Sequence, residues 1–156
     1  MEKEHVLEHV RAAKAAHIKW VQKAKLLING LDIDENAIPV DSTECKFGKW
    51  FYSDGQILNA LSNNPVECMQ KIETLHFNLH DIYLKIFTIY FSAEKKAGFF
   101  AKLFGKKRID PSESEKLLAH TYYDEMEQVS RDLLDEINRL ERRLVAVSAE
   151  KIKSLV

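Results

Sequence analysis

Apolar residues recur at helical spacing along most of this chain, and this periodicity constrains the fold more than any other feature. The first seam advances alternately by four and three residues, which traces one face of an α-helix. It comprises Val6, Val10, Ala13, His17, Trp20, Ala24 and Leu27. Asn29-Gly30 then provides a stop signal. Because the chain has only 5 glycines and 3 prolines, little interrupts such helices, and we expect a long one to end here.

The same spacing predicts two further long helices. The earlier one begins near Pro65, since proline suits the opening turn of a helix. Its seam comprises Met69, Ile72, His76, Leu79, Tyr83, Ile86 and Tyr90. The later one is expected over residues 114–152. Its seam comprises Tyr122, Met126, Val129, Leu133, Ile137, Leu140, Leu144 and Val147. Both seams are long enough to line a helical core.

Shorter elements are predicted between the first two long helices. Residues 31–40 form a connection, after which Asp41 and Glu44 have the spacing of a capping box. This predicts a short helix with Cys45 in its first turn, where backbone N–H groups and the helix dipole favour a thiolate. A second short helix follows over 56–61. We therefore predict an all-α fold, an antiparallel four-helix bundle with one short or broken helix that carries the cysteine.

Composition indicates one domain over residues 1–156 and excludes several classes of protein. The chain is 46% hydrophobic and 30% charged with a formal net charge of -1, so nothing indicates nucleic-acid binding. The first residues lack an apolar signal-peptide core, and no run approaches the roughly 18 apolar residues of a membrane span. Cys45 and Cys68 do not make a disulfide framework. A cytoplasmic location is therefore expected.

A basic and aromatic connection is predicted over residues 92–114. Its lysines, arginine and phenylalanines lie mainly within 95–108. Such a segment could contact a membrane surface or dock a partner protein. We favour a solvated loop, because charged connections between helices are usually solvated.

Four side chains on the predicted helices are of types that bind first-row metals: His17, Cys45, His76 and His80. His17 and His76 lie on the seams of separate helices, and His80 lies one turn beyond His76 on the same side. Imidazole and thiolate ligands suit zinc, and three histidines with one cysteine fill a tetrahedral shell. A buried imidazole without a partner costs about 1–3 kcal/mol, which a metal would remove. Periodicity alone leaves two alternatives open, a zinc site or separately hydrogen-bonded core histidines.

Three short motifs carry a family resemblance. In order, they are His17-Ile-Lys-Trp20, Cys45-Lys-Phe-Gly-Lys-Trp50 and His76-Phe-Asn-Leu-His80. Together they resemble the chemoreceptor zinc-binding (CZB) domain family over about residues 10–92, and the Cys-x-Phe-Gly-x-Trp core is the most specific part. The resemblance implies a four-helix bundle in which His17, Cys45, His76 and His80 hold zinc.

The resemblance also implies a role in bacterial signalling. Domains of this family are typically attached to chemoreceptors or diguanylate cyclases, where they report zinc, or oxidants that attack the zinc-bound thiolate, to an output domain. This sequence contains neither a methylation-type signalling hairpin nor a cyclase segment. We therefore expect either a stand-alone domain or a piece of a longer protein, acting through a signalling partner.

Function is accordingly predicted to be zinc-dependent regulation without catalysis. A zinc enzyme keeps one position open for water and supplies a nearby base, yet no glutamate lies between His76 and His80. One alternative is a sensor of hypochlorite-type oxidants that react with the Cys45 thiolate. Another is a zinc-stapled dimerisation module, since Leu140 and Leu144 could serve a homodimer as well as a core.

Other conspicuous residues receive structural interpretations. Trp20 and Trp50 are expected to pack around the site rather than to bind a ligand. Cys68 lies about 12 Å along its helix from His76 by rise alone, so we expect an inert thiol. The remaining histidines are expected at the surface or within the bundle and not among the ligands: His5, His9 and His120.

Overall fold

The computed structural model of the chain describes residues 2–61, 66–91 and 110–155. Regular structure within these ranges is helical, without a strand, which confirms the predicted all-α fold. The α-helices are α1 Lys3–Ile28, α2 Lys46–Phe51, α3 Val66–Phe91, α4 Glu113–Ala146 and α5 Ala149–Lys153, and a 3₁₀ helix covers Asp54–Ala60. The stop at Asn29-Gly30 is also confirmed, because Gly30 has a φ of +90°, which glycine adopts readily.

Helices α1 and α4 run antiparallel to each other. Near the start of α1, the Lys3 ammonium donates hydrogen bonds to the carbonyl oxygens of Val145 and Val147 at 2.9 and 2.7 Å. Further along, Lys14 and Arg11 both pair with Glu141 of α4. Because residue numbers rise along α1 as they fall along α4, the two helices point in opposite directions.

Helix α3 is also antiparallel to α4 and is therefore parallel to α1. Glu67 lies 3.8 Å from Arg139, whereas the Lys85 ammonium lies over the Tyr122 ring. At the far end, the Tyr90 hydroxyl donates to the carbonyl of Ile28, 3.4 Å away. The ends of α1 and α3 thus meet.

The segment over residues 31–61 takes the place of a second long helix. It descends along α1, because Lys23 donates to the carbonyl of Ala37 at 3.1 Å, whereas Trp50 stacks on His9 near the start of α1. The chain is therefore an up-down-up-down bundle with one broken member, as predicted.

The predicted seams supply much of the core. All members of the α3 seam are buried, and the α1 seam is buried except for Trp20, which is half-buried. On α4 the side chains of Leu133, Ile137 and Leu140 are fully enclosed. Burial of each such side chain stabilises the fold by about 1.5–3 kcal/mol, so packing against α4 holds α1 and α3 in place.

The start of α2 differs from the sequence prediction. Asp41 and Glu44 do not form a capping box; instead the Asp41 carboxylate accepts from the Thr43 backbone and hydroxyl at 2.8 and 2.7 Å. Aspartate commonly bonds to backbone two residues ahead, and here that turn precedes the helix. Cys45 is consequently not in the first turn of α2 but is its N-cap.

The last predicted helix is divided in two. Helix α4 begins one residue before the predicted start, where Ser112 and Glu115 form a capping box, and it ends at Ala146. The Ser148 side chain then accepts from the backbone N–H of Lys151 at 3.2 Å and begins α5. Serine is a strong N-cap, and its backbone here is extended rather than helical. The predicted helix over 114–152 is therefore interrupted at Ser148.

Two sequence predictions lie outside the described residues. These are the helix start at Pro65 and the character of the basic segment over 95–108. Among the helices that the structure describes, none has the length and apolar character needed to span a lipid bilayer.

Candidate metal centre

The structure brings the four predicted ligand residues together at one place in the bundle. His17 comes from α1, Cys45 from the N-cap of α2, and His76 and His80 from successive turns of α3. One ligand atom from each lies within 4.8 Å of the others, and all four side chains are buried. Ligand atoms around a tetrahedral zinc ion lie roughly 3.3–3.6 Å apart, so small movements would complete the shell.

Backbone carbonyls orient two of the imidazoles. His17 Nδ1 lies 2.6 Å from the carbonyl oxygen of Ala13, and His80 Nδ1 lies 2.8 Å from that of Pro39. Because a carbonyl can only accept, each Nδ1 carries the proton and each Nε2 presents a lone pair. Both Nε2 atoms are buried without a hydrogen-bond partner. This is the arrangement of metal-binding histidines, in which the second nitrogen fixes the ring.

His76 approaches the cysteine directly. Its Nε2 lies 3.3 Å from Cys45 Sγ, and its Nδ1 is buried without a hydrogen-bond partner. The Nε2–Sγ distance is close to that between two ligands of one zinc ion. His76 therefore belongs to the same cluster, although no carbonyl holds its ring.

Cys45 is positioned by the backbone of its own short helix. Its Sγ accepts a hydrogen bond from the Gly48 N–H at 3.1 Å and lies 3.3 Å from the carbonyl oxygen of Ser42. A Cβ atom on Gly48 would lie 1.8 Å from the same Ser42 oxygen. Only glycine fits there, which explains the residue type at this place in the Cys-x-Phe-Gly-x-Trp motif.

Aromatic rings enclose the imidazoles. Trp20 makes edge contacts with His17 and His80 at centroid distances of 4.5 and 5.5 Å. Phe47 contacts His17 and His76 from the side of α2, at 5.7 and 5.1 Å. These contacts agree with the packing role predicted for Trp20 and exclude water from the cluster.

Burial keeps the imidazoles neutral at pH 7. It lowers the pKa of His17 to about 4, opposed by the hydrogen bond to Ala13, and the pKa of His76 to about 2. The pKa of His80 is also lowered, again mainly by burial. Only neutral imidazole binds metal, so all three rings are in the form that a ligand requires.

The thiol of Cys45 departs from the sequence expectation. Burial raises its pKa, and the hydrogen bonds from the backbone of Gly48 and Phe47 lower it by less. The predicted preference for a thiolate at the helix start is therefore wrong for the protein without metal, because desolvation outweighs the local dipoles. A coordinated divalent cation supplies the charge that deprotonates such a thiol.

The donor set fits zinc. Its nitrogen and sulfur atoms are of the types that zinc prefers, and two imidazole lone pairs lack any other partner. Among the described residues, the cluster contains no carboxylate. Magnesium and calcium, which prefer oxygen ligands, are therefore poor candidates.

The remaining predicted residues lie away from the cluster. Cys68 is fully buried but is not one of its members. His5 and His120 are exposed, and half-buried His9 stacks on Trp50. Sequence reasoning did not identify the carbonyl of Pro39 as a partner of His80, because these residues are 41 positions apart.

Fold and site together define a zinc-binding helical domain, and a family comparison identifies the kind of zinc-binding domain that it resembles. Residues 17–87 match the model of the chemoreceptor zinc-binding (CZB) domain family. This part of the chain is similar to the CZB family, and the match contains the whole His17, Cys45, His76 and His80 cluster. No curated protein and no solved structure matches the chain. Helix α4 lies beyond the matched region but completes the bundle around it.

Proposed function

We propose that this chain is a non-enzymatic regulatory domain that binds zinc and reports its occupancy to a partner or output domain. The zinc would be held by Nε2 of His17 and His80, by the His76 nitrogen that faces sulfur, and by Cys45 Sγ. The observation that carries the proposal is the convergence of these ligand atoms, including buried nitrogens that no protein group satisfies. A bound zinc ion removes the free-energy cost of burying these nitrogens without a partner.

The absence of catalysis is part of the proposal. Four protein ligands would complete a tetrahedral shell and leave no position for a reactive water. A hydrolytic zinc enzyme also needs a general base near the metal. The carboxylate-free cluster in the described structure supports a switch or a staple rather than a catalyst.

Zinc occupancy would act on the segment over residues 31–61. Zinc would connect this segment, through Cys45, to helices α1 and α3, whose apolar side chains pack against α4. Loss of zinc would free α2 to move while α1 and α3 remain in place. A two-state displacement of α2 is therefore the signal that a partner would read.

A redox function of the same cysteine is the second candidate. A cavity of about 910 Å³ is lined by Cys45 together with Phe47 and Trp50. A small oxidant that enters this cavity would approach the Cys45 side chain, and oxidation of its sulfur would weaken the bond to zinc. The displacement of α2 would then follow oxidation instead of zinc depletion.

The other parts of the proposal concern partners and location. A homodimer remains a prediction, and Leu140 and Leu144 do not support it, because the single chain encloses both side chains completely. A cytoplasmic location, where thiols stay reduced, suits the two free cysteines. The match to the CZB family model supports a role in bacterial chemotaxis or related signal transduction.

Elemental analysis of protein purified without added metal tests the zinc site. We expect one zinc per chain in the wild type and a large loss of zinc in Cys45→Ala and His80→Ala. Cys68→Ala and His120→Ala are matched controls, since both residues lie outside the cluster. Stoichiometric zinc retained in both ligand variants would disprove the proposed ligand set.

A further inference from the structure

A second pair of histidines lies near the start of α1, outside the cluster already described. His5 and His9 are four residues apart, and their Nε2 atoms are separated by 3.1 Å with the rings nearly perpendicular. With metal–nitrogen bonds of about 2.0–2.1 Å, this separation corresponds to an angle of roughly 100° at a metal ion. Without metal the same contact is a hydrogen bond between the two rings. A metal ion would replace the shared proton, and the angle lies between the tetrahedral and octahedral values.

The His9 ring is held in position before any metal binds. It is stacked on Trp50 with an interplanar angle of 8° and a centroid distance of 5.1 Å. Trp50 is itself buried in the core. Burial and the neighbouring His5 lower the pKa of His9, so its imidazole is neutral at pH 7 and can donate a lone pair.

Two carboxylates lie near the pair. Glu8 Oε2 lies 3.8 Å from His5 Nδ1 and places negative charge beside the ring. Asp54 interacts electrostatically with His9 from the start of the 3₁₀ helix. The negative charges favour a cation at this place, and water can occupy the remaining coordination positions.

The pair also borders the cavity that reaches the inner cysteine. His5 and His9 line the cavity of about 910 Å³ together with Cys45. Its outer end is solvent-exposed at His5 and Glu8, whereas Cys45 at its inner end is only 1% exposed. The cavity therefore connects a solvent-accessible pair of imidazoles with a buried ligand.

We propose that His5 and His9 form a second, weaker zinc site at the outer end of this cavity, from which zinc passes to Cys45. Two imidazoles leave the ion partly hydrated, so it can be released, whereas the inner cluster offers four protein ligands. The passage to Cys45 rests on the proposed function, but the outer site itself does not.

Titration of zinc-loaded protein with further zinc tests the outer site. Calorimetry should detect one additional zinc per chain in the wild type, and this zinc should be lost in His5→Ala and His9→Phe. The phenylalanine keeps a ring against Trp50, so the loss cannot be ascribed to lost packing. His120→Ala is a matched control on α4 and should retain the additional zinc. The proposal is overturned if the wild type binds no additional zinc, or if both variants still bind it.

A variant of the inner cluster separates the two sites. Cys45→Ala should lose the inner zinc but still bind the outer one, and His5→Ala should show the reverse. If the inner site proved empty in the wild type, zinc binding that depends on His5 would still support the outer site. If Cys45→Ala also lost the outer zinc, the two zinc sites would not be separate, and the proposal of an independent outer site would be overturned.

The passage to Cys45 is tested by the rate of metal loading. Apo protein mixed with Co²⁺ develops a cobalt–thiolate absorption band only when the ion reaches Cys45. We expect this band to appear about tenfold more slowly in His9→Phe, which corresponds to about 1.4 kcal/mol in activation free energy. The final intensity should be unchanged, because the inner ligands are intact. Equal rates in the wild type and the variant would overturn the role in loading.

Discussion

The packed body of α1, α3 and α4 and the segment over residues 31–61 are stabilised in different ways. The body has long apolar seams, with side chains such as Ile72, Leu133 and Ile137 fully enclosed. The segment contains only α2 and a 3₁₀ helix, of 6 and 7 residues, which are too short to be stable alone. It is attached through buried aromatic residues and through Cys45. Because the segment has less packing of its own, we expect it to depend on zinc more than the body does.

Removal of zinc should produce the largest effect, and it should be concentrated in the segment. Structural zinc contributes on the order of 10 kcal/mol in small domains that depend on it. After chelation, amides over 46–60 should exchange much faster, whereas those over 69–86 of α3 should remain protected. Hydrogen exchange followed by mass spectrometry measures both.

Cys45→Ala is the control for this experiment. Chelator should change its exchange pattern little, since it lacks a zinc ligand from the start. A uniform loss of protection in both regions of the wild type would show that zinc supports the whole bundle, and the comparison would then be invalid.

Gly48→Ala should be the most damaging substitution within the segment. The new Cβ would lie 1.8 Å from the backbone oxygen of Ser42. The loss of unfolding free energy should exceed the roughly 1–3 kcal/mol of ordinary overpacking, because the clash is with backbone and not with a side chain that can move aside. Zinc should be lost although every ligand remains, as elemental analysis would detect.

Gly30→Ala is the matched glycine variant in the body. Its φ of +90° strains an alanine by about 1–2 kcal/mol, but a Cβ there meets no other atom. We expect lower unfolding stability with zinc retained. If Gly48→Ala kept full zinc, the contact with Ser42 would not be essential to the position of Cys45.

Leu140→Ala should destabilise the body and spare the metal. Leu140 is fully enclosed on α4, and truncation of such a leucine costs about 2–5 kcal/mol. Urea unfolding should show this loss, with zinc content still at one per chain. Exposed Val145→Ala is the control and should change stability by less than about 0.5 kcal/mol. Zinc loss in Leu140→Ala would indicate strong coupling between the two regions.

Ser112→Ala should have the smallest effect. The Ser112 side chain caps α4, and loss of an N-cap costs about 1 kcal/mol. The midpoint of urea unfolding should fall slightly while zinc content stays the same. Ser114→Ala, two residues later, removes only the 3.2 Å contact between the two serine hydroxyls and should be closer to neutral. Equal destabilisation by both would argue against the capping box.

Much of the fold followed from periodicity, and the errors have a common cause. The seams predicted for α1 and α3 are buried except for Trp20, whereas Tyr122, Val129 and Val147 of the α4 seam are only half-buried. The errors lie at helix ends, at Asp41 before α2 and at Ser148 after α4. At such places several local hydrogen bonds compete, and sequence pattern does not decide which of them forms.

The candidate site was predictable in its members but not in its electrostatics. His17 and His76 occupy seam positions, and His80 lies one turn away, so helical register alone directs them inward. The pKa of Cys45 was not predictable, because it depends on how deeply the thiol is buried by residues from elsewhere in the chain. The hydrogen bonds from the local backbone lower this pKa by less than burial raises it.

Helical periodicity and short motifs are local properties, so the helices, their inward faces and the four ligand types could be predicted without tertiary contacts. Three features depend on contacts made only in the folded chain: the Pro39 carbonyl orients His80, Ser42 permits nothing larger than Gly48, and His9 stacks on Trp50. The two longest-range of these contacts join residues about 40 positions apart. Their geometry depends on how the broken second helix descends along α1, and no local pattern encodes that path.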